Sequence, residues 1–262
     1  MNAFFAALWA EALKARRSKV SWLSAAGFML LPIIGGLFMF ILKDPAAAKS
    51  MGLISMKAQI TAAVADWPTY FGMLTMGTAM GGMVVFAIIM TWVFGREFSD
   101  HSVKDLLAMP TPRWTIVAAK FGLTTLWVLG LTVLVFLAAL GIGGAVDIPG
   151  WSTALAWSSF GGVMLTALLV FMMTPFVALL ASAGRGYLPA FGWVFFTLVL
   201  AQVASAMGWG DWFPWAVPAL LSRFGGGTGE PLAMHSYVVV LLACVVSLAA
   251  TFAWWQSADQ TR

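Results

Sequence analysis

Residues able to do chemistry are scarce in this chain of 262 residues. Cys244 is the single cysteine, and His101 and His235 are the only histidines. An internal disulfide is therefore impossible. A zinc or haem site needs clustered ligands at characteristic spacings, which two distant histidines do not provide. We expect no metal and no cofactor on this chain, and we expect Cys244, in an apolar run, to be a small buried hydrophobic residue.

The motifs of nucleotide-hydrolysing and hydrolytic enzymes are also absent from the sequence. No G-x-x-x-x-G-K-[ST] loop occurs, and the glycine cluster at 225–229 lacks the lysine that would contact phosphates. There is no nucleophile elbow, no H-E-x-x-H helix and no catalytic pair of carboxylates. The sequence therefore predicts a protein that is not itself an enzyme.

Composition excludes a water-soluble domain. The chain is 61% hydrophobic and 9% charged, whereas soluble domains carry about 25% charged residues. The net charge of +4 is spread over too few charged groups to predict nucleic-acid binding. The positions of the basic residues are more informative than their sum.

Six continuous apolar segments are long enough to cross a bilayer, which takes roughly 20 helical residues. They do not alternate in polarity as barrel strands do. The sequence predicts an all-α polytopic membrane protein with a single transmembrane domain. The predicted spans are 21–42, 69–94, 115–146, 156–183, 188–207 and 236–255.

The distribution of Lys and Arg predicts that both termini are cytoplasmic. Residues 1–20 form either an interfacial amphipathic helix or a basic flank that only fixes orientation. The first span exceeds the roughly 7–15 apolar residues of a signal peptide, so we expect it to be permanent. The cytoplasmic basic residues are Lys14, Arg16, Arg17, Lys19, Arg96, Lys104, Arg113, Lys120, Arg185 and Arg262.

The middle of each predicted span lacks ionisable residues, which disfavours an ion-coupled pump. Lys120, five residues into the third span, is expected to snorkel back to the interface. No charged ring or filter motif supports a channel. Energy for any transport would therefore have to come from elsewhere.

The segment 95–114, between the second and third spans, has the densest mixture of charges. Ser102 and Asp105 resemble a capping box, and Pro110 is expected to end the helix that follows. Leu106 and Leu107 give this helix an apolar edge. Such a helix suits docking of a soluble partner, although a solvated charge run in a turn is the alternative.

This stretch, with Glu97 and Phe98 after a span and then S-V-K-D-L-L-A-M-P-T-P-R, resembles the permease subunits of type-2 ABC exporters. Permeases of bacitracin and lantibiotic immunity are the most similar in pattern. The resemblance implies a homodimer in the bacterial inner membrane with two cytoplasmic ATPase subunits, which hold ATP and Mg. It also implies an outer segment, 208–235, that re-enters the membrane or lies at its surface. The implied ATPase-coupling residues are Glu97, Asp100, Lys104, Asp105, Leu106 and Leu107.

Methionines recur along one side of the second span. Gly77 and Gly81 form a G-x-x-x-G pair beside this stripe, which predicts a helix-packing seam. Flexible Met side chains adapt to varied apolar partners, so the sharper hypothesis is a path for a hydrophobic or amphipathic substrate. The candidate path residues are Met73, Met76, Met80, Met83 and Gln202.

Two functions of different classes remain open at this point. The first is the permease subunit of an ATP-driven exporter of peptide antibiotics, drugs or lipid-like compounds. The second is a membrane scaffold or sensor that recruits a cytoplasmic partner through the same 95–114 loop without transporting anything. Co-purification with an ATPase that carries a phosphate-binding loop separates them.

Overall fold

A computed structural model describes residues 3–44, 64–104, 111–221 and 232–257 of the chain. Every helix of three or more turns within these ranges is an α-helix, and the described residues contain no strand. We number the helices in chain order. They are α1 (Ala3–Arg16), α2 (Lys19–Lys43), α3 (Trp67–Ser99), α4 (Arg113–Ala145), α5 (Thr153–Met172), α6 (Thr174–Ala183), α7 (Leu188–Ala206), α8 (Val217–Leu221) and α9 (Met234–Ser257).

The six predicted spans are confirmed as helices long and apolar enough to cross a membrane. They correspond to α2, α3, α4, the pair α5–α6, α7 and α9. The main difference in length concerns α3, which covers Trp67–Ser99 where 69–94 is predicted, whereas α4 nearly matches its predicted span; each of the two helices has 33 residues. At 1.5 Å per residue each is about 50 Å long, against about 30 Å of hydrocarbon core. Both helices are therefore longer than the hydrocarbon core is thick.

The fourth predicted span, 156–183, is not continuous. It consists of α5 and α6, which meet at Met173. Pro175 is in the first turn of α6 and has no backbone N–H to continue the α5 ladder. The Thr174 hydroxyl donates to the Phe171 carbonyl at 2.7 Å and satisfies an acceptor at the break.

Helix α3 is the centre of the bundle and packs against α2, α4, α5, α6 and α7. Its aromatic side chains interlock with those of the neighbours. Phe86 meets Phe28 of α2 edge-on, and Phe71 stacks on Phe136 of α4. These side chains are almost completely buried, so the aromatic core fixes the position of α3 between the outer helices.

Small residues let α2 and α4 approach α3 closely. A Cβ added at Gly77 or Gly81 would lie 3.0 or 3.2 Å from the Leu31 side chain of α2. In the same way, Trp67 of α3 lies over Gly143 of α4. The G-x-x-x-G pair is therefore a packing seam between α3 and α2 within one chain.

Helix α1 packs along α4, with Phe4 and Leu8 facing Gly122. Its exposed apolar residues, Phe5, Trp9 and Leu13, are spaced four apart and form a stripe pointing away from the bundle. A helix in this segment is thus present, and the stripe supplies the apolar face expected of an interfacial helix.

The segment after α7 folds back onto the bundle in turns that lead into the short helix α8. Val217 and Pro218 of α8 are buried against the longer helices. The His235 Nε2 lies 3.0 Å from the Asp211 carboxylate, and the Trp212 ring stacks on the imidazole. Part of the predicted outer segment 208–235 is therefore packed into the protein, while 222–231 lies outside the described residues.

Candidate functional site

Four ionisable side chains from three helices meet at one end of the bundle. Glu11 and Lys14 come from α1, Glu97 from the last turns of α3, and Lys120 from the second turn of α4. The Lys120 Nζ lies 2.8 Å from Glu97 Oε1 and 3.4 Å from Glu11 Oε2. The Lys14 Nζ lies 2.7 Å from Glu11 Oε1 and 3.1 Å from Glu97 Oε1. We call these four residues the ion cluster, and the end of the bundle that holds it the loop end.

The ion cluster is buried. Glu11, Glu97 and Lys120 are 5%, 4% and 0% exposed. Burying a charge costs several kcal/mol unless it is paired and hydrogen-bonded. Two carboxylates and two ammonium groups balance here, and Lys120 also donates to the Val93 carbonyl at 2.7 Å. The cluster therefore holds three helices in one arrangement, because separating any of them would leave a charge unpaired in the interior.

The position of Lys120 corrects the prediction that it snorkels to the interface. Its side chain is completely buried between α1, α3 and α4. Glu97 also differs from its expected role as a charged contact on a docking partner. Its Oε1 accepts from both lysines inside the protein, so its carboxylate faces inward. Burial and pairing make both residues internal connectors between helices.

Lys14 is the most exposed member of the ion cluster, with 31% of its side chain accessible. Burial lowers the pKa of Lys14, but the carboxylates of Glu11 and Glu97 more than compensate, and the net pKa lies above its usual value. The stabilisation from a raised lysine pKa is present below the normal pKa and is lost only as pH rises through the higher value. Lys14 thus stays charged throughout the neutral range.

The backbone turns sharply where α3 ends, directly after the ion cluster. The Ser102 N–H donates to the Glu97 carbonyl at 2.9 Å, and the His101 N–H donates to the Phe98 carbonyl. His101 has a φ of 55°, in the left-handed region. This is a Schellman-type helix end, and it ties the start of the 95–114 loop to the backbone of Glu97 itself.

The end of α3 also packs against residues outside the ion cluster. A Cβ at Gly95 would lie 2.9 Å from the Tyr187 ring, which comes from the turn before α7. Phe98 meets Trp254 and Trp255 of α9 edge-on. The Trp255 Nε1 in turn donates to Ser182 Oγ of α6 at 3.0 Å. The end of α3 therefore contacts α1, α4 and α9 directly and is linked to α6 through Trp255.

The predicted coupling residues divide into three groups. Asp100 and Lys104 are exposed at the loop end, and the Asp100 carboxylate lies 3.1 Å from Arg96 Nε. Glu97 is internal. Asp105, Leu106 and Leu107, together with the stop at Pro110, lie outside the described residues.

The predicted path residues do not form one surface. Met83 is buried in the core, Met73 packs against it, and Met80 is 39% exposed. Met76 is half-buried, and Gln202 is exposed on α7. Gln202 lies on α7 and the methionines on α3, where Met80 is the most exposed of the four; the substrate path stays a prediction.

Sequence reasoning missed that Glu11, Lys14, Glu97 and Lys120 act together. One signal was available, because an ionisable residue inside an apolar span is expected to have a partner. Glu11 was the other signal, because it is the first charged residue of α1 and follows an entirely apolar stretch. The 109 residues between Glu11 and Lys120 hid the pairing from any local pattern.

Comparison with known proteins gives two findings. The family described as ABC-2 family transporter protein matches residues 7–202, a range that contains the ion cluster and the 95–114 loop. The bacitracin transport permease protein BCRB of Bacillus licheniformis is 28% identical to this chain over 185 residues. That alignment covers 68% of this chain and 85% of the relative.

Proposed function

The chain belongs to the ABC-2 family of transporter membrane proteins, and from this premise we propose that it is the membrane half of an ATP-driven exporter. As a member of this family it is a multi-pass membrane subunit of an ABC transporter, in bacteria of the plasma membrane, and it associates with a cytoplasmic ABC ATPase. The proposal adds that two copies of the chain pair with two ATPase subunits, which bind ATP and Mg. It also adds that the loop end is cytoplasmic.

The ion cluster is the observation that carries the proposal. It lies at the base of the 95–114 loop, at the end of α3 and near the start of α4. We propose that the ATPase docks on the loop through the exposed Asp100 and Lys104 and through Asp105, Leu106 and Leu107. Glu97 then acts as a positioning residue: it passes movement of the loop to α4 through Lys120 and to α1 through Lys14.

For the cargo, we propose a hydrophobic or amphipathic compound such as a peptide antibiotic. Support comes from the named transport of bacitracin by the relative. The apolar character of the spans is a second support, since their central parts offer no Asp, Glu, Lys, Arg or His outside the ion cluster to bind a charged solute. Met76 and Met80 are the proposed path contacts, because flexible thioethers adapt to varied apolar partners.

The proposal is tested with the chain and its ATPase reconstituted in liposomes. Leu107→Glu is expected to abolish association of the ATPase. The double substitution Lys120→Met with Glu97→Gln is expected to keep association but to lower substrate-stimulated ATP hydrolysis by about five-fold or more, the usual size of a coupling effect. Arg16→Gln, an exposed charge change on α1 at the same end, is the matched control and should leave both readouts intact.

Three results would contradict parts of the proposal. Intact assembly and intact coupled hydrolysis in Leu107→Glu would exclude docking on this loop. Normal coupling in the double variant would exclude transmission through the ion cluster. A chain that binds the ATPase but drives no ATP-dependent uptake of bacitracin into inside-out vesicles, or of any labelled apolar peptide, would favour the scaffold alternative.

A further inference from the structure

A cavity of about 320 Å³ opens at the loop end, between α1 and the last turns of α3, and the proposed function does not use it. One wall is a single face of α1 and the turn that follows, and the other is Trp92 and Arg96, one turn apart on α3. The lining residues are Ala10, Leu13, Lys14, Arg17, Ser18, Trp92 and Arg96.

The helical repeat explains why cations converge on this cavity. Ala10, Leu13, Lys14 and Arg17 follow the spacing i, i+3, i+4, i+7, which places them on one face of a helix. Arg96 approaches from α3 with its guanidinium 5.1 Å from the centre of the Trp92 ring. Three basic side chains and an aromatic ring therefore surround one space.

The charges around the cavity leave a positive excess. Glu11 and Glu97 are balanced by Lys14 and Lys120 within the ion cluster. Arg96 pairs with Asp100 at the surface. Arg17 is exposed and has no ion pair among the described residues, and its neighbours Arg16 and Lys19 add further positive charge. The cavity is thus complementary to an anion.

Ser18 supplies a second indication of a polar ligand. Its hydroxyl oxygen is covered from solvent and has no hydrogen-bond partner among the described residues. Ser18 also precedes α2, and its side chain does not cap that helix. A buried hydroxyl without a partner is unfavourable. Because Ser18 lines the cavity, a change of its side-chain rotamer would let a bound ligand accept this hydrogen bond.

The exposed apolar residues beside the cavity favour a lipid as the ligand over a free anion in water. Leu13 in the lining is part of the exposed apolar stripe of α1, and Trp22, one turn into α2, is strongly exposed. Basic pockets beside membrane-spanning helices on the cytoplasmic side bind anionic headgroups. An acyl chain can follow the apolar stripe while the phosphate enters the cavity.

We propose that this cavity binds the phosphate headgroup of an anionic phospholipid, with Arg17, Arg96 and Ser18 as its contacts. The bound phosphate joins α1 to α3 directly beside the ion cluster, so it strengthens the connection between these helices. Placing the lipid in the cytoplasmic leaflet rests on the proposed orientation, whereas binding itself does not.

The test uses the full chain alone in mild detergent, so that failure of the ATPase proposal cannot affect it. Binding is measured by native mass spectrometry and by thermal stabilisation during titration with short-chain phosphatidylglycerol. Phosphatidylcholine with the same acyl chains and inorganic phosphate are titrated in parallel. We expect saturable binding of phosphatidylglycerol that is weakened about ten-fold in Arg17→Gln, the size expected for one charged hydrogen bond.

Arg16→Gln is the matched control, because it removes the same charge from the adjacent position but does not line the cavity. It is expected to change the affinity less than about two-fold, as for a surface charge. Equal losses in the two variants would overturn the site in favour of diffuse attraction. Equal binding of phosphatidylcholine, or inorganic phosphate binding as tightly as the lipid, would also overturn it.

Discussion

Lys120, a single charged residue in an apolar span, joins three helices through its contacts. Its ammonium group contacts Glu97, Glu11 and the Val93 carbonyl, which belong to two other helices. Removal of one partner from a buried pair is costly because the other charge remains buried. The contribution of Lys120 therefore depends on whether its carboxylate partners are still charged.

A double-mutant cycle tests this dependence. Lys120→Met alone is expected to lower the free energy of unfolding by about 3–5 kcal/mol, because Glu97 and Glu11 then share a single ammonium group. Adding Glu97→Gln should recover at least about 1 kcal/mol of that loss, since Glu11 and Lys14 remain as a balanced pair. Denaturant titration in mixed micelles measures both values.

Leu123→Ala, one turn further along α4, is the control for general damage to this helix, because Leu123 is buried but uncharged. The decrease in the free energy of unfolding caused by Leu123→Ala should simply add to the decrease caused by Glu97→Gln. If the effects of Lys120→Met and Glu97→Gln on the free energy of unfolding were also additive, Lys120 and Glu97 would not interact in the folded protein.

Among the helices, α3 sets the arrangement of the others through close contacts at both ends. At the loop end the contacts are ionic and aromatic. At the opposite end Trp67 packs over Gly143 of α4 and meets Trp151 edge-on. There the Lys43 ammonium group also donates to the Val146 and Asp147 carbonyls, directly after α4, and to the Asp147 carboxylate. Helices α3 and α4 are thus joined at both ends, and α2 is joined to the end of α4 through Lys43.

The contact at Gly143 predicts a sharp difference between two adjacent glycines. Gly143→Ala places a methyl group against the buried indole of Trp67 and is expected to destabilise the protein by about 1–3 kcal/mol. Gly144→Ala has open space around its new methyl group and should stabilise α4 by about 0.5–1 kcal/mol. Thermal unfolding in detergent compares them, and equal effects would mean that Trp67 does not pack closely on α4.

For the molecule as a whole, the exposed surface of the spanning helices is almost entirely apolar. On α7 the exposed residues Phe195, Phe196, Val199 and Val203 surround one polar side chain, Gln202. Lipid offers an amide no hydrogen bond, and polar side chains on such surfaces join helices together. Gln202 therefore indicates where a second copy of the chain would pack in the proposed homodimer.

This placement predicts crosslinking along α7. In a Cys244→Ser background, Gln202→Cys is expected to form a disulfide-linked dimer in native membranes under mild oxidation. Val246→Cys on the exposed face of α9 is the control and should stay monomeric. Gln202→Leu should also make the free energy of dimerisation less favourable by about 1 kcal/mol, the usual contribution of an interhelical hydrogen bond in a membrane. Crosslinking only through α9 would place the dimer contact elsewhere.

The sequence by itself determined the membrane class, the six spans and the ABC-2 resemblance of the 95–114 loop. These properties depend on local hydrophobicity over about 20 residues and on one short motif, which no distant contact can change. The break at Met173 was also encoded locally, in Pro175, but the apolar run concealed it. Only the tertiary structure decided the roles of the charged residues. Glu97 and Lys14 are 83 residues apart in the chain, and whether a charge is solvated or paired in the interior depends on which helices pack around it.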